Sequence, residues 1–227
     1  MLGTIVNTLS IIAGGLIGLF FRGRISEAYS QTIMHAIGLA VILIGLKTAL
    51  QTDAILIVII SLAIGSFIGE LLRIEERLNQ VGNWIGSRIS TDSKGVSKGF
   101  VSASLLFCVG AMAIVGSMES GLSGSHQTLY AKSIIDGIGS VLFASTLGVG
   151  VLFSAASVLI YQGLITLTAA SIRHLLLPEV VAQMSAVGGL LIMAIGIGLL
   201  EIKKIKIGNM LPAMFIPLIY QVIKTFL

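Results

Sequence analysis

Charge is what this chain has least of: Asp, Glu, Lys and Arg make up 11% of its 227 residues, against about 25% in a soluble domain. A chain with under half that quota cannot cover a water-facing surface, so most of its surface must face lipid. Cysteine occurs once, at Cys108. That excludes an intramolecular disulfide and any thiolate cluster, and leaves Cys108 as a small apolar residue of a helix. A basic face is missing as well. The net charge of +4 is scattered between apolar runs without interleaved aromatics, which excludes a nucleic-acid partner and suits orientation in a bilayer. His35, His126 and His174 lack ligand-type neighbours at metal spacing, so no metal site is expected. No nucleophile elbow, phosphate loop or pair of catalytic carboxylates occurs, and neither a cofactor nor an enzyme is expected. A lipid-active enzyme would have to draw on Glu119, Asp136 and His126. Residues 1–9 lack a positive n-region and a following small-residue cleavage site, so they read as a retained first span, not a signal peptide.

What the chain does have is apolar and small. Hydrophobic residues make up 56% and glycines number 27, with a mean hydropathy of +1.04. Glycine in membrane helices allows close approach and local breaks that neighbouring helices satisfy. Since a span needs about 20 mostly apolar residues, the chain divides into runs at 3–21, 33–50 and 54–72, then 99–118. The stretch 137–172 carries no charge over 36 residues. As one helix it would be about 54 Å long at 1.5 Å per residue, far beyond the bilayer core, so it breaks, most naturally at Gly148-Val149-Gly150. Runs at 183–200 and 208–226 follow, giving eight spans. Pro212 and Pro217 free backbone carbonyls in the last and predict a kink. Between the third and fourth spans, Ile74, Leu78, Val81, Ile85 and Ile89 share one helical face opposite Glu75, Glu76, Arg77 and Asn79. With Trp84 beside it, that stripe predicts an interfacial helix over 73–90; a linker helix packed on the protein's own loops is the other reading.

Charge placement tests the count. Eight spans with the N-terminus outside put ten of the 14 Lys and Arg residues on the cytoplasmic side, and only Lys47, Lys132, Arg173 and Lys224 outside. Fusing 137–172 into one span lowers the split to nine against five, so the positive-inside rule prefers eight. A repeat is also visible. Residues 34–42 read MHAIGLAVI and residues 184–192 read MSAVGGLLI, identical at four positions with an offset of 150. Spans one to three then correspond to spans six to eight in inverted orientation, the arrangement that places a transporter's site near the midplane.

Ionised side chains at membrane depth are expensive, roughly 2.5–3.5 kcal/mol on insertion scales, and invite explanation. Asp136 begins the fifth span, with Lys132 one helical turn earlier. Glu119 ends the fourth span in the glycine-rich run 112–121. Glu119 and Asp136 together suit a cation or proton site; alternatively both sit at the outer interface and are hydrated. Asn7, Thr8 and Ser10 put polar groups in the first span, and Tyr161 and Gln162 do so in the sixth. Asn7 and Gln162 are candidate contacts across a solute path, although such groups also bond between helices. Gly14 with Gly18, and Gly65 with Gly69, mark close helix packing or a homo-oligomer face.

The ordered set Phe107-Cys108-Val109-Gly110-Ala111-Met112, Gly116, Gly121, Leu129 through Gly137, Tyr161-Gln162-Gly163 and Leu211-Pro212-Ala213 resembles the YdfK/YqgA-type bacterial inner-membrane proteins, grouped as a domain of unknown function. The resemblance covers essentially the whole chain. It implies a multi-span bacterial inner-membrane protein, often described as a transporter candidate, with no substrate attached.

The expectation is therefore an all-α integral membrane protein of about eight transmembrane helices in a single domain. Residues 1–72 form one three-helix repeat, 73–98 the amphipathic helix and cytoplasmic loop, 99–150 a central helix pair, and 151–227 the second repeat. Its partners are the bilayer and an unidentified small solute or ion. Secondary transport is the leading function, with Glu119, Asp136, Lys132, Asn7 and Gln162 at the site. A small channel and a structural or regulatory membrane partner are the alternatives.

Overall fold

The computed structural model describes residues 1–22, 27–80, 93–109, 111–172 and 175–226. Among them the chain is helical, with no strand. The helices are α1 (Leu2–Phe21), α2 (Glu27–Ala49), α3 (Ile55–Leu71), α4 (Ile74–Gln80), α5 (Ser93–Cys108), α6 (Ala111–Leu122), α7 (Gln127–Leu147), α8 (Gly150–Ile172), α9 (Pro178–Leu199), α10 (Ile207–Met210) and α11 (Ile216–Phe226). A 3-10 segment, Leu211–Phe215, joins the last two. Among the described residues five helices are long and apolar enough to cross a membrane, or seven if the bent pairs α3–α4 and α5–α6 each count as one. The bends are 56° and 60°.

The uncharged run breaks at the predicted place. α7 ends at Leu147, Gly148 takes a positive φ of 81°, and α8 begins at Gly150. A side chain at Gly148 would meet the guanidinium of Arg22, which lies over the turn. Other boundaries differ from expectation. The second helix begins at Glu27, six residues before the apolar run. The fourth run is two helices, α5 and α6, with Val109 outside both; the glycine-rich run 112–121, which suited an unwound or broken helix, is itself helical within α6. Pro212 opens the 3-10 segment and Pro217 lies in the first turn of α11. The expected kink is thus a switch to a tighter helix, as proline deletes α-helical hydrogen bonds. Of the expected interfacial helix, 74–80 is helical; residues 81–90, with Val81, Trp84, Ile85 and Ile89, lie outside the described residues.

The chain forms two compact units: Met1–Met34 with Leu78–Cys108 and Met112–Ala170, and His35–Arg77 with Val109–Ala111 and Ser171–Leu227. In the first, α1 and α7 run parallel in close contact. Gly3 faces His126 and Leu129, Gly14 the backbone of Gly137, and Gly18 the backbone of Val141. α5 runs antiparallel to α7, with Gly99 against Leu147 and Phe107 stacked edge-on against Phe143. α5 and α6 run parallel to α8, through Val96 against Gly150, Ser104 bonded to Ser157 and Gly121 against Thr166. α8 runs antiparallel to α1, through Met1 near Gly163 and Gly15 against Leu152.

In the second unit, α2 and α9 are antiparallel, Gly38 meeting Gly196 and Leu200, and Gly45 meeting the backbone of Gly189. α3 and the α10–3-10 segment are antiparallel too, Gly65 meeting Ala213 and Gly69 meeting Asn209. The glycines that also suited a homo-oligomer face, Gly14, Gly18, Gly65 and Gly69, are buried against helices of their own chain.

Side chains are distributed as lipid demands. The outward faces carry Leu9, Leu16, Ile17 and Phe20 on α1, Leu56, Ile59 and Phe67 on α3, and Ile134, Ile135 and Ile138 on α7. Glycine, serine, threonine and asparagine fill the contacts, since lipid tails are as apolar as leucine and close packing decides which faces meet.

Candidate functional site

α7 brings the candidate residues together. Thr128, Lys132, Asp136 and Ser140 recur every four residues, which places them on one face, roughly 6 Å apart along the axis. The opposite face carries the exposed isoleucines. Asp136 is the tenth of 21 residues in α7, hence near its middle, and both Lys132 and Asp136 are buried. The Lys132 ammonium donates to both carboxylate oxygens of Asp136 at 2.8 Å. From α1, the amide Nδ2 of Asn7 donates to Oδ2 of Asp136 at 2.9 Å. The close α1–α7 approach at Gly3 and Gly14 is what lets the short Asn7 side chain reach. Side-chain exposure of the ion pair is 7% for Lys132 and 4% for Asp136, so the pair is nearly dry. Breaking such a pair by removing one partner strands a buried charge.

The same unit holds buried polar atoms without a hydrogen-bond partner among the described residues: Thr4 Oγ1, Asn7 Oδ1, Ser117 Oγ, Ser140 Oγ, both amide atoms of Gln162, and Thr166 Oγ1. They lie on α1, α6, α7 and α8. Buried polar groups are normally paired, and those that are not call for a ligand, water or mechanism. Gln162 is fully buried, with donor and acceptor both open. Thr4 and Ser140 belong to this set without having been candidates by sequence. Ser140 was detectable, one turn beyond Asp136, but Thr4, Ser117 and Thr166 offered no signal beyond their type.

Glu119 goes elsewhere. Its Oε2 accepts from the Thr128 hydroxyl at 2.6 Å, at the junction of α6 and α7, two turns of α7 before Asp136. Among the described residues Glu119 makes no hydrogen bond to Asp136; its partner Thr128 lies on the same face of α7 as Lys132 and Asp136. Nearby, His126 bonds through Nδ1 to the Ser120 hydroxyl at 3.0 Å. Cys108 lies within electrostatic reach of Lys132 and Asp136, and Tyr161 within reach of Cys108. No group of three or more His, Cys, Asp or Glu suited to a metal occurs among the described residues.

A second polar cluster, in the second unit, was not foreseen. Asn209 donates through Nδ2 to Glu70 at 2.6 Å and accepts at Oδ1 from the backbone N–H of Glu75 at 2.7 Å. Glu75 accepts from the N–H of Gly208 at 2.7 Å, capping α10. Lys206 donates to Glu70 at 2.8 Å. The Glu70 carboxylate raises the Lys206 ammonium above its ordinary range, first by this hydrogen bond and then by charge attraction. The cluster ties the α3–α4 bend to the start of α10.

What the triad can do is exchange partners: Asp136 can release Lys132 in return for a proton or cation, and Lys132 can release Asp136 in return for an anion. The family model described as "Protein of unknown function (DUF554)" matches residues 2–222. Uncharacterized membrane protein YdfK of Bacillus subtilis (strain 168) is 34% identical over 221 residues, 96% of this chain and 94% of the relative. Uncharacterized protein YqgA of Escherichia coli (strain K12) is 29% identical over 221 residues, covering 95% and 94% respectively. No solved structure matches the chain. By motif order, by family model and by these relatives, the chain belongs to the DUF554 family.

Proposed function

We propose that this membrane protein is a secondary transporter of a small solute or ion across the bacterial inner membrane, with its site at Lys132, Asp136 and Asn7. The observation that carries the reading is the buried ion pair at the middle of a lipid-facing helix. Ionisable residues at membrane depth are kept for ion paths, proton relays and counter-ions, and a purely structural helix contact needs none. Gln162 is a further polar contact, and Glu119 stands at the outer end of the α7 ladder. No chemistry of bond making is invoked, and the protein is not an enzyme in this reading.

The topology supports the same proposal. α7 carries too many polar residues to pass as an apolar span by itself, yet it lies along α1 over its length and exposes isoleucines outward. Counted with it, and with each bent pair as one crossing, the spans number eight. Eight alternating spans require the first and fifth to be parallel, and likewise the fourth and sixth. They require the second and seventh, and the third and eighth, to be antiparallel. All four helix pairings have the required sense. The N-terminus then lies outside, as the basic residues favour.

The inverted repeat draws support from the same contacts. Spans one, two and three pack antiparallel against spans six, seven and eight respectively. Gly189 and Gly196 lie 151 residues after Gly38 and Gly45, and the contacts Gly38–Gly196 and Gly45–Gly189 interchange under that shift. The register is thus one residue from the offset of 150 that the sequence identities select.

A thermal-shift screen of detergent-purified protein against amino acids, organic acids, nucleobases and common ions tests the proposal. A ligand at a hundred times its dissociation constant adds about 2.7 kcal/mol. The expected result is a hit lost when Lys132→Met and Asp136→Asn are combined in a protein that still folds. Conductance without saturable uptake would establish a channel instead. Silence across the panel from folded protein, with function lost on replacing Ile74 by a charged residue, would establish a structural partner.

A further inference from the structure

We infer that the Lys132–Asp136–Asn7 cluster takes up one proton and one small monoanion together, the proton on Asp136 and the anion on the Lys132 ammonium. This rests on the transporter reading and names its substrate class. Net charge in a dry site decides the class. As it stands the pair is neutral, and each partner answers the other at 2.8 Å with side-chain exposures of 7% and 4%. A proton alone on Asp136 leaves Lys132 as a lone buried cation. An anion alone on Lys132 leaves Asp136 as a lone buried anion. A metal cation on Asp136 leaves two cations side by side. The proton and the anion together leave one protonated carboxyl and one ammonium paired with the incoming anion, so the site is neutral again.

A proton also needs no coordination shell, and the Asn7 amide beside Asp136 carries an acceptor oxygen as well as the NH2 that faces the carboxylate. Asn7 is fully buried, its Nδ2 already donates to Asp136, and its Oδ1 has no partner among the described residues. A protonated Asp136 converts from acceptor to donor, and an amide that presents both functions beside it serves either state. No bond other than O–H forms: the proton comes from solvent, Lys132 keeps its own, and the anion enters as an ion. A zwitterion would have to part the ion pair on both sides at once, which the two equal Lys132–Asp136 bonds oppose. Among the described residues, Cys108 of α5 is the further titratable group that interacts with the pair, Tyr161 of α8 interacts with Cys108, Glu119 is held two turns away by Thr128, and α1 presents Asn7.

Linkage makes the inference measurable, because two ligands that favour each other do so by the same factor in both directions. Purified protein in weakly buffered detergent is mixed with formate, nitrate or L-lactate, with sodium or potassium, and with L-alanine, while a pH indicator follows protons and thermal shift follows binding. One of the anions is expected to stabilise the protein more at acid than at alkaline pH and to draw up to one proton per chain from solution. In Asp136→Asn the carboxyl is replaced by a group neutral at every pH, so anion binding becomes independent of pH and proton uptake vanishes. The combined Lys132→Met and Asp136→Asn variant carries no buried charge and loses anion binding at all pH values. If Asp136→Asn does not fold, proton uptake by the wild type decides. Binding of sodium or potassium with proton release, or of L-alanine without proton uptake, would overturn the inference and leave the transporter reading standing. No binding of any probe to folded protein would overturn both.

Discussion

Two lysine–carboxylate pairs in this protein share one closest distance and differ in their surroundings. Lys132–Asp136 and Lys206–Glu70 each close at 2.8 Å, but side-chain exposure is 7% and 4% in the first and 63% and 60% in the second. The first is formed by local sequence, four residues apart on one helix; the second joins residues 136 apart. Water and salt screen the exposed pair, whose partners solvate well alone. Nothing replaces the partner of the buried one. The difference teaches that a short distance says little about importance until the dielectric around it is known.

Single replacement of the buried pair should give the largest effect. Lys132→Met leaves an uncompensated carboxylate and is expected to destabilise the fold by about 3–5 kcal/mol, whereas adding Asp136→Asn to it recovers most of that. Thermal unfolding in detergent measures both, and a double variant no better than the single would break the comparison. Next comes Asn7→Leu, which removes a hydrogen bond to a charged group and is expected to lower stability by about 1.5–3 kcal/mol. The same change should weaken solute binding, which separates it from a packing defect. Gly14→Ala sets a methyl group against the Gly137 carbonyl and the Ser140 side chain. Forcing α1 from α7 in this way should cost about 1–3 kcal/mol and loosen the Asn7 contact.

Lys206→Met should be felt least, and its small effect should shrink further at high salt. The pH dependence has a definite sign. Because Glu70 raises Lys206 above its ordinary value, the stabilisation from this pair is complete at neutral pH and fades only as alkali passes the raised value. Unfolding followed across strongly alkaline buffers, wild type against Lys206→Met, should converge there.

Much of this was legible in the sequence, and the divisions are physical. The apolar runs showed the spans because length and hydropathy are local, and the Gly148–Val149 break followed from bilayer thickness. Lys132 and Asp136 were visible as a pair because four residues make one helical turn. Asn7 drew notice as a polar group in an apolar helix, but its bond to Asp136 spans 129 residues and depends on two glycines bringing α1 onto α7. Glu119 was grouped with Asp136 by its charge and its glycine-rich setting; its bond to Thr128, a residue of no distinction in the sequence, was not visible. The Glu70–Asn209–Glu75 cluster was invisible because it depends on the α3–α4 bend and the α10 start meeting in space.

The contrast between α9 and α7 bears on how the chain enters the membrane. α9 is a strongly apolar candidate span, yet 78% of it is buried inside the protein, against 22% for α2. Most of its surface is spent on contacts within the protein, so its apolarity suits a moment before those contacts form, when a helix partitions by its own hydropathy. α7 is the reverse case: it does not pass the apolarity test that α9 passes, and its buried ion pair is met by Asn7 of α1, a helix that precedes it in the chain.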